Sequence, residues 1–157
     1  MASDMEKKNC IDETWDHIRE VSRYLDRIML LLENRLLDHD MSKLKEPELD
    51  IFAEYGPKLE DTTYGSDKYK QFLKEMKPAL DHHYKNNRHH PEFHENGIDD
   101  MNLIDIIEML ADWIAAGKRH KDGDSMKSIE INKDRFKLSD QLVSILKNTV
   151  KLLDKEK

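Results

Sequence analysis

The stretch that decides the fold is LIDIIEMLADWIAAG, residues 103–117. Apolar side chains occupy nearly every helical position in it, so a helix here has an apolar surface almost all the way round. Asn102 comes immediately before it and is a residue type that caps helices well. A helix of this kind belongs at the centre of a bundle of other helices. The stretch therefore predicts an all-α fold.

Three carboxylates interrupt this apolar stretch. Asp105, Glu108 and Asp112 are spaced by three and four residues, so they form one acidic stripe along the helix. A carboxylate among buried apolar side chains is costly unless a cation or hydrogen-bond donors compensate it. For Asp105 and Glu108 the sequence leaves two alternatives open, a stripe that faces water or one that holds a cation. Asp112 lies deepest in the apolar run, and for it we favour a metal ligand.

Helical spacing of apolar residues predicts further helices on either side of this one. We expect a first helix that Asp12 or Thr14 caps and that runs to about Leu37, with residues 1–10 as a frayed end. Other helices are predicted at 48–55, ended by Gly56-Pro57, at 67–86, capped by Asp67 and bent at Pro78, and at 139–153. The apolar stripe of this last helix consists of Leu142, Ile145, Leu146, Val150 and Leu153. Together they predict one compact domain over residues 1–157, a bundle of about five to seven helices.

Composition limits the classes of function. The chain has 157 residues and a net charge of −7, and it lacks a long basic run, which argues against duplex nucleic acid as a partner. Its single cysteine, Cys10, and a start without an apolar leader indicate a cytoplasmic protein. The longest apolar stretch is too short and too acidic to span a membrane. An acidic surface with 8 methionines leaves room for a homo-oligomer.

Histidines and carboxylates supply the candidate chemistry. His39-Asp40 follows the first predicted helix, and imidazole with carboxylate suits Mn, Fe, Co, Ni or Zn ions. Of the 8 histidines, a group falls between residues 82 and 94: His82, His83, His89, His90 and His94. We favour His83 and His90 within this group as functional residues, followed by His89. His17 has Glu13 one helical turn upstream, so the two side chains can share an ion.

In order, these residues read His17, His39-Asp40, a histidine cluster and Asp112. This order resembles the HD superfamily of metal-dependent phosphohydrolases. His39-Asp40-Met41-Ser42-Lys43 is similar to the His-Asp-x-x-Lys variant of HD-GYP-type phosphodiesterases, and His89-His90-Pro91-Glu92 is similar to the His-His-Glu segment of that branch. Over most of its length the chain is also similar to a small family of phage and bacterial proteins without a known activity, in the segments His89-His90-Pro91-Glu92, Met109-Leu110-Ala111-Asp112-Trp113 and Arg135-Phe136.

The resemblance implies an HD-like helical domain that hydrolyses a nucleotide or another small phosphate ester, whether a phosphomonoester, a dNTP or a cyclic phosphodiester. It implies one or two divalent ions, the first held by His17, His39, Asp40 and Asp112. A second ion or the phosphate would be held by Glu13, His83, His89 and His90. Lys43 and Arg88 are expected to contact the substrate phosphate, and Lys43, His83 and His90 to act in catalysis.

Two alternatives stay open. The chain could sequester a nucleotide or a metal without turning it over, which needs the same ligands. It could also be a helical interaction protein whose histidines have no shared role.

Overall fold

A computed structural model of the chain describes residues 1–62, 66–118 and 124–155. All regular structure in these ranges is helical. The helices are α1 (Asp4–Asp38), α2 (Glu48–Glu60), α3 (Asp67–Glu75), α4 (Lys77–Asn86), α5 (Leu103–Gly117), α6 (Ser125–Phe136) and α7 (Asp140–Lys155), with short 3₁₀ helices η1 (Met41–Leu44), η2 (Pro91–Phe93) and η3 (Gly97–Asp100). The predicted all-α fold is confirmed. Among the described helices, none is both long enough and apolar enough to cross a membrane.

The chain divides into two units, Met1–Asp38 and His39–Lys157. The first unit consists of α1, which starts earlier than predicted. Ser3 and Glu6 form a capping box, in which the Ser3 amide donates to Glu6 Oε2 at 2.7 Å and the Glu6 amide donates to Ser3 Oγ at 3.3 Å. The predicted start at Asp12 or Thr14 is therefore wrong, while the fraying of residues 1–10 stays a prediction. The Thr14 hydroxyl instead donates to the Cys10 carbonyl within the helix.

In the second unit, α2 packs against η1, α3 and α4. The prediction that Gly56-Pro57 ends α2 is wrong, because the helix continues to Glu60. A proline in a helix removes one N–H donor, and here the helix resumes beyond it, with the Asp61 amide donating to the Pro57 carbonyl at 3.3 Å. The sequence also predicts a loop over residues 59–66; residues 59 and 60 instead belong to α2, and residues 63–65 lie outside the described part of the chain.

The predicted helix over 67–86 is two helices, α3 and α4, which meet at Met76. Ser66, not Asp67, caps α3, since the Ser66 hydroxyl accepts a hydrogen bond from the Tyr69 amide at 3.2 Å. Pro78 lies in the first turn of α4, where its missing N–H costs nothing.

The core of the second unit lies where α5, α6 and α7 pack together. Its buried residues are Leu110, Ile129, Leu138, Val143, Leu146 and Val150. Helix α6 is not among the predicted helices, and Asp124 caps it by accepting from the amides of Met126 and Lys127. In α7 the buried stripe runs through Val143, so the predicted stripe is partly wrong: Ile145 and Leu153 are exposed.

Helix α5 begins as predicted. The Asp105 amide donates to Asn102 Oδ1 at 3.0 Å, and the Asn102 amide donates to Asp105 Oδ2 at 3.2 Å, which makes a capping box. The helix is not buried all round, however, because Leu103 and Ile107 are 63% and 38% exposed. Its buried residues include Met109 and Leu110, and its acidic stripe lies beside His39 and the histidines of the loop after α4.

Candidate metal centre

Seven side chains from four parts of the second unit converge on one place. We call them the histidine–carboxylate cluster: His39, Asp40, His83, His89, His90, Glu108 and Asp112. The first pair precedes η1, one histidine is on α4, two lie in the loop after α4, and the last two carboxylates are one turn apart on α5. The spacing of Glu108 and Asp112 on α5 places both carboxylates on one face of that helix, where they meet residues from the other three parts.

Asp40 lies at the centre of the cluster. Its backbone is left-handed, with φ 58°, a conformation that costs free energy and that Asp tolerates better than most residues. Lys43 Nζ donates to Asp40 Oδ2 at 2.6 Å. Burial opposes ionisation of Asp40, but the hydrogen bond and charge of Lys43 outweigh it, and the pKa of this carboxyl falls below its ordinary value. Asp40 is therefore an anion ready to accept a cation.

His39 has carboxylates on both sides of its ring. Its Nδ1 lies 3.0 Å from Glu108 Oε1, while its Nε2 lies 3.5 Å from Asp40 Oδ2 and 3.8 Å from Asp112 Oδ1. The hydrogen bond with Glu108 raises the pKa of His39 against the effect of burial, and the charges of Asp40 and Asp112 add to the rise. This side of the cluster thus has an excess of negative charge that a cation would offset.

Three imidazole rings form the other side of the cluster. His83 Nε2 and His90 Nε2 are 2.9 Å apart, and the rings of His89 and His90 are 4.1 Å apart between centroids. His83 and His89 are 2% and 1% exposed. Burial lowers the pKa of His83, and burial with the neighbouring His89 and His83 lowers the pKa of His90 to about 3. The rings of His83 and His90 therefore favour the neutral form, which is the form that binds metals.

Buried polar atoms in the cluster lack hydrogen bonds among the described residues. They are Asp40 Oδ1 and both ring nitrogens of His89. His89 Nδ1 is only 3.1 Å from Glu108 Oε1, and His89 Nε2 is 3.6 Å from Asp40 Oδ1, but these contacts do not have hydrogen-bond geometry. Buried polar groups are almost always satisfied in folded proteins. Unsatisfied nitrogens and oxygens that face one another from different elements are the arrangement that a metal ion would complete.

The donor set fits a divalent transition metal. Ligand atoms within 4.8 Å of one another occur in three overlapping groups, Asp40 with His83, His89 and His90; His39 with His89 and Glu108; and His39 with Asp40 and Asp112. Mixed imidazole and carboxylate donors suit Mn, Fe, Co, Ni or Zn. The part of the prediction that a group of His, Asp and Glu side chains could hold a metal ion is confirmed.

Comparison with known proteins gives a family. A profile described as a family of unknown function (DUF5662) matches residues 6–152. The chain belongs to the DUF5662 family. Neither the search of curated proteins nor the search of solved structures found a match.

The structure brings together most of the residues that the sequence of this DUF5662 chain singles out as ligands. His39, Asp40 and Asp112 lie together, and His83, His89 and His90 lie beside them. Lys43 contacts Asp40. His17 and Glu13 are exposed on α1, in the first unit, and their role as ligands stays a prediction.

Asp105 and Arg88 are not members of the histidine–carboxylate cluster and form an ion pair with each other. Asp105 is fully buried, and Arg88 donates to it through Nε at 3.2 Å and Nη2 at 3.0 Å. His94 Nε2 donates to the Arg88 carbonyl at 2.9 Å. The water-facing alternative for Asp105 is therefore wrong. The Arg88 guanidinium already has a carboxylate partner, while its predicted contact with a phosphate stays a prediction.

Two carboxylates near the histidines were not assigned as ligands from the DUF5662 sequence. Glu108 was left open between water and a cation, and its side chain is only 9% exposed and contacts His39 and His89. Glu48 is fully buried and contacts His82 and His83. The helical spacing of Glu108 from Asp112 was a usable signal. Nothing in the sequence around Glu48 distinguishes it from an ordinary acidic residue in a first helical turn.

Proposed function

We propose that this chain is a metal-dependent phosphohydrolase of the HD type, acting on a nucleotide or another small phosphate ester. The observation that carries the proposal is the set of unsatisfied buried atoms, Asp40 Oδ1 and the His89 nitrogens. They lie within a helical unit, and the order of His39-Asp40, the histidines and Asp112 along the chain resembles the HD superfamily. A fold that buries such atoms without hydrogen bonds is destabilised unless a ligand compensates them.

The cluster has donors for up to two ions that share Asp40. Asp40 Oδ1 lies 3.3 Å from His83 Nε2 and 3.6 Å from His89 Nε2. Asp40 Oδ2 lies 3.5 Å from His39 Nε2. The two oxygens of one carboxylate thus face different groups of ligands. His83, His89 and His90 would hold one ion with Asp40, and His39 and Asp112 would hold the other. A bound divalent ion supplies a Lewis acid that lowers the pKa of water from about 16 toward about 7.

Lys43 supplies the positive charge closest to these carboxylates. Its ammonium group lies 2.6 Å from Asp40 Oδ2, and its side chain is 35% exposed, so it reaches both the cluster and the solvent. An ammonium on a flexible stem can turn from the carboxylate to a phosphoryl oxygen and offset the charge that builds there. Because a neutral imidazole with a low pKa is an effective ligand and a poor acid, the proposal assigns His83 and His90 to the metal rather than to proton transfer.

Metal content and turnover test the proposal separately. The purified chain is loaded with Mn²⁺, Co²⁺ or Ni²⁺, desalted and analysed for metal, and phosphate release is followed over a panel of nucleotides and simple phosphate esters. We expect at least one equivalent of metal and phosphate release that depends on it. Asp40→Asn and Asp112→Asn should lose both. Asp134→Asn is the matched control, since Asp134 is an exposed helical aspartate outside the cluster.

Three results contradict the proposal in different ways. Less than about half an equivalent of metal after loading would remove the metal centre and with it the enzyme. Metal binding without phosphate release from any compound of the panel would leave a protein that sequesters its ligand. Full activity of Asp40→Asn would show that hydrolysis takes place elsewhere.

A further inference from the structure

Glu48 is a fully buried carboxylate with histidines on both of its oxygens. Oε1 lies 2.6 Å from His82 Nδ1, and Oε2 lies 2.9 Å from His83 Nδ1. The residue begins α2, and the positive end of a helix favours an anion there. An ionised carboxylate can only accept hydrogen bonds, so each of these contacts requires a hydrogen on the facing Nδ1.

Two other groups approach His83 Nδ1, but neither displaces this assignment. Asn87 Nδ2 lies 3.0 Å away and Ser42 Oγ lies 3.3 Å away. The amide of Asn87 has two hydrogens, and shorter contacts use both of them, at 2.7 Å to Ser42 Oγ and at 2.8 Å to the His83 carbonyl. The hydroxyl of Ser42 is the more distant contact. The bond to Glu48 therefore decides that His83 carries its hydrogen on Nδ1.

This tautomer determines which way the lone pair of His83 points. With the hydrogen on Nδ1, the lone pair is on Nε2, which lies 3.3 Å from Asp40 Oδ1 and 2.9 Å from His90 Nε2. Nε2 is the atom that faces the histidine–carboxylate cluster. A carboxylate that accepts a hydrogen bond from the far nitrogen of a metal-binding histidine fixes the orientation of the ring and makes the other nitrogen a stronger metal ligand.

We propose that Glu48 is a positioning residue for the metal centre, acting through His83. It holds the His83 ring in the Nδ1–H tautomer and presents Nε2 to the ion next to Asp40. His82 shares the carboxylate but is not part of the cluster, so its role is to satisfy the second oxygen. The part of this inference that concerns metal affinity rests on the proposed metal centre, and the part that concerns the tautomer does not.

The tautomer is measured first, on the metal-free chain, by nitrogen-15 NMR of the imidazole rings. We expect the His83 signals of an Nδ1-protonated ring in the wild type. Glu48→Gln keeps the shape of the side chain but removes its charge and one acceptor, so we expect a mixture of tautomers for the two histidines. An Nε2-protonated His83 in the wild-type chain would overturn the proposal whether or not the protein binds metal.

Metal affinity is measured next, by competition between the chain and a chelator for Zn²⁺ and by the absorption spectrum of bound Co²⁺. Glu48→Gln should weaken binding by about 10-fold or more, since loss of such a partner usually costs roughly 10–100-fold. It should also shift the Co²⁺ bands. His82→Gln is the matched control, because it removes the other partner of Glu48, and it should change the affinity less than about 3-fold, well below that range.

A double-mutant cycle separates positioning from a purely structural role. In a His83→Ala background, Glu48→Gln should cause no further loss of affinity, because the residue through which it acts is gone. An equal loss in both backgrounds, or an affinity of Glu48→Gln within about 2-fold of wild type and so outside the expected range, would overturn the proposal. If metal binds as expected but no phosphate is released, the proposed enzyme fails while this inference stands.

Discussion

Replacing Arg88 with methionine tests whether this arginine stabilises the fold or serves the substrate. Asp105 is fully buried and receives two hydrogen bonds from Arg88, at 3.2 and 3.0 Å. Removing one partner of a buried ion pair typically costs about 3–5 kcal/mol. The Arg88 side chain is 41% exposed, so water screens the pair, and we expect a loss of about 2–3 kcal/mol in the free energy of unfolding. Methionine also removes the guanidinium that lies over the Phe93 ring, 5.1 Å from its centroid, so the loss includes that contact.

For a chain of this size, such a loss lowers Tm by roughly 4–12 °C. Thermal unfolding followed by circular dichroism measures it, and urea unfolding gives the free energy directly. Asp105→Asn should destabilise similarly, and the double variant should lose less than the sum of the two, because it leaves neither charge unpaired. Lys58→Met, which breaks the exposed pair with Glu54, is the control and should leave Tm unchanged.

The same variant decides between two roles for Arg88. If the arginine is structural, Arg88→Met binds metal normally below its Tm, and its KM for a hydrolysed substrate is unchanged. A Tm within about 2 °C of wild type would refute the assignment of Arg88 to the fold, since it corresponds to less than about 1 kcal/mol. A raised KM at normal stability would instead support the contact with a substrate phosphate that the sequence predicts.

Further perturbations have defined outcomes. Ile129→Ala removes a fully buried core side chain and should cost about 2–5 kcal/mol by urea unfolding, whereas the exposed Ile131 on the same helix should tolerate alanine with little change. Lys137 ends α6 with φ 54°, so Lys137→Gly should stabilise the chain by about 0.5–1 kcal/mol; a loss would show that the lysine side chain is needed there. Loading metal to about 100 times its Kd should add about 2.7 kcal/mol and raise Tm by roughly 5–11 °C, reversibly on chelation, and no shift would contradict a specific site.

The sequence of helix α5 was sufficient to predict where this helix begins and ends and that the fold is all-α. An apolar run that Asn102 caps and that ends near Gly117 predicts α5 almost residue for residue. Local signals also fix other boundaries, and the Ser3 and Glu6 pair that begins α1 was readable in the same way. Gly56-Pro57 shows the limit of local signals, since the helix continues through a pair that usually ends one. Propensities of this kind are weak and tertiary contacts override them.

The candidate metal ligands were readable from the sequence because their residue types are unusual for their surroundings. A histidine beside an aspartate, a group of histidines within a short segment and an aspartate in an apolar helix are each weak signals, and they acquire meaning from their order along the chain. The presence of all three signals in one chain therefore indicated a candidate metal site before the positions of these residues in the fold were known. Sequence could not distinguish which histidines converge, because the neighbours His82 and His83 both contact Glu48, yet only His83 also reaches His90 in the cluster.

Tertiary structure alone decided the roles of the carboxylates. Asp105, Glu108 and Asp112 belong to one stripe in the sequence, yet Asp105 pairs with Arg88 and the other two join the cluster. Glu48 is 34 and 35 residues from His82 and His83 along the chain, yet it is buried against both. The physical reason is that helix formation depends on neighbours within a few residues, whereas the energy of a buried charge depends on which distant donors the packing brings within hydrogen-bonding distance.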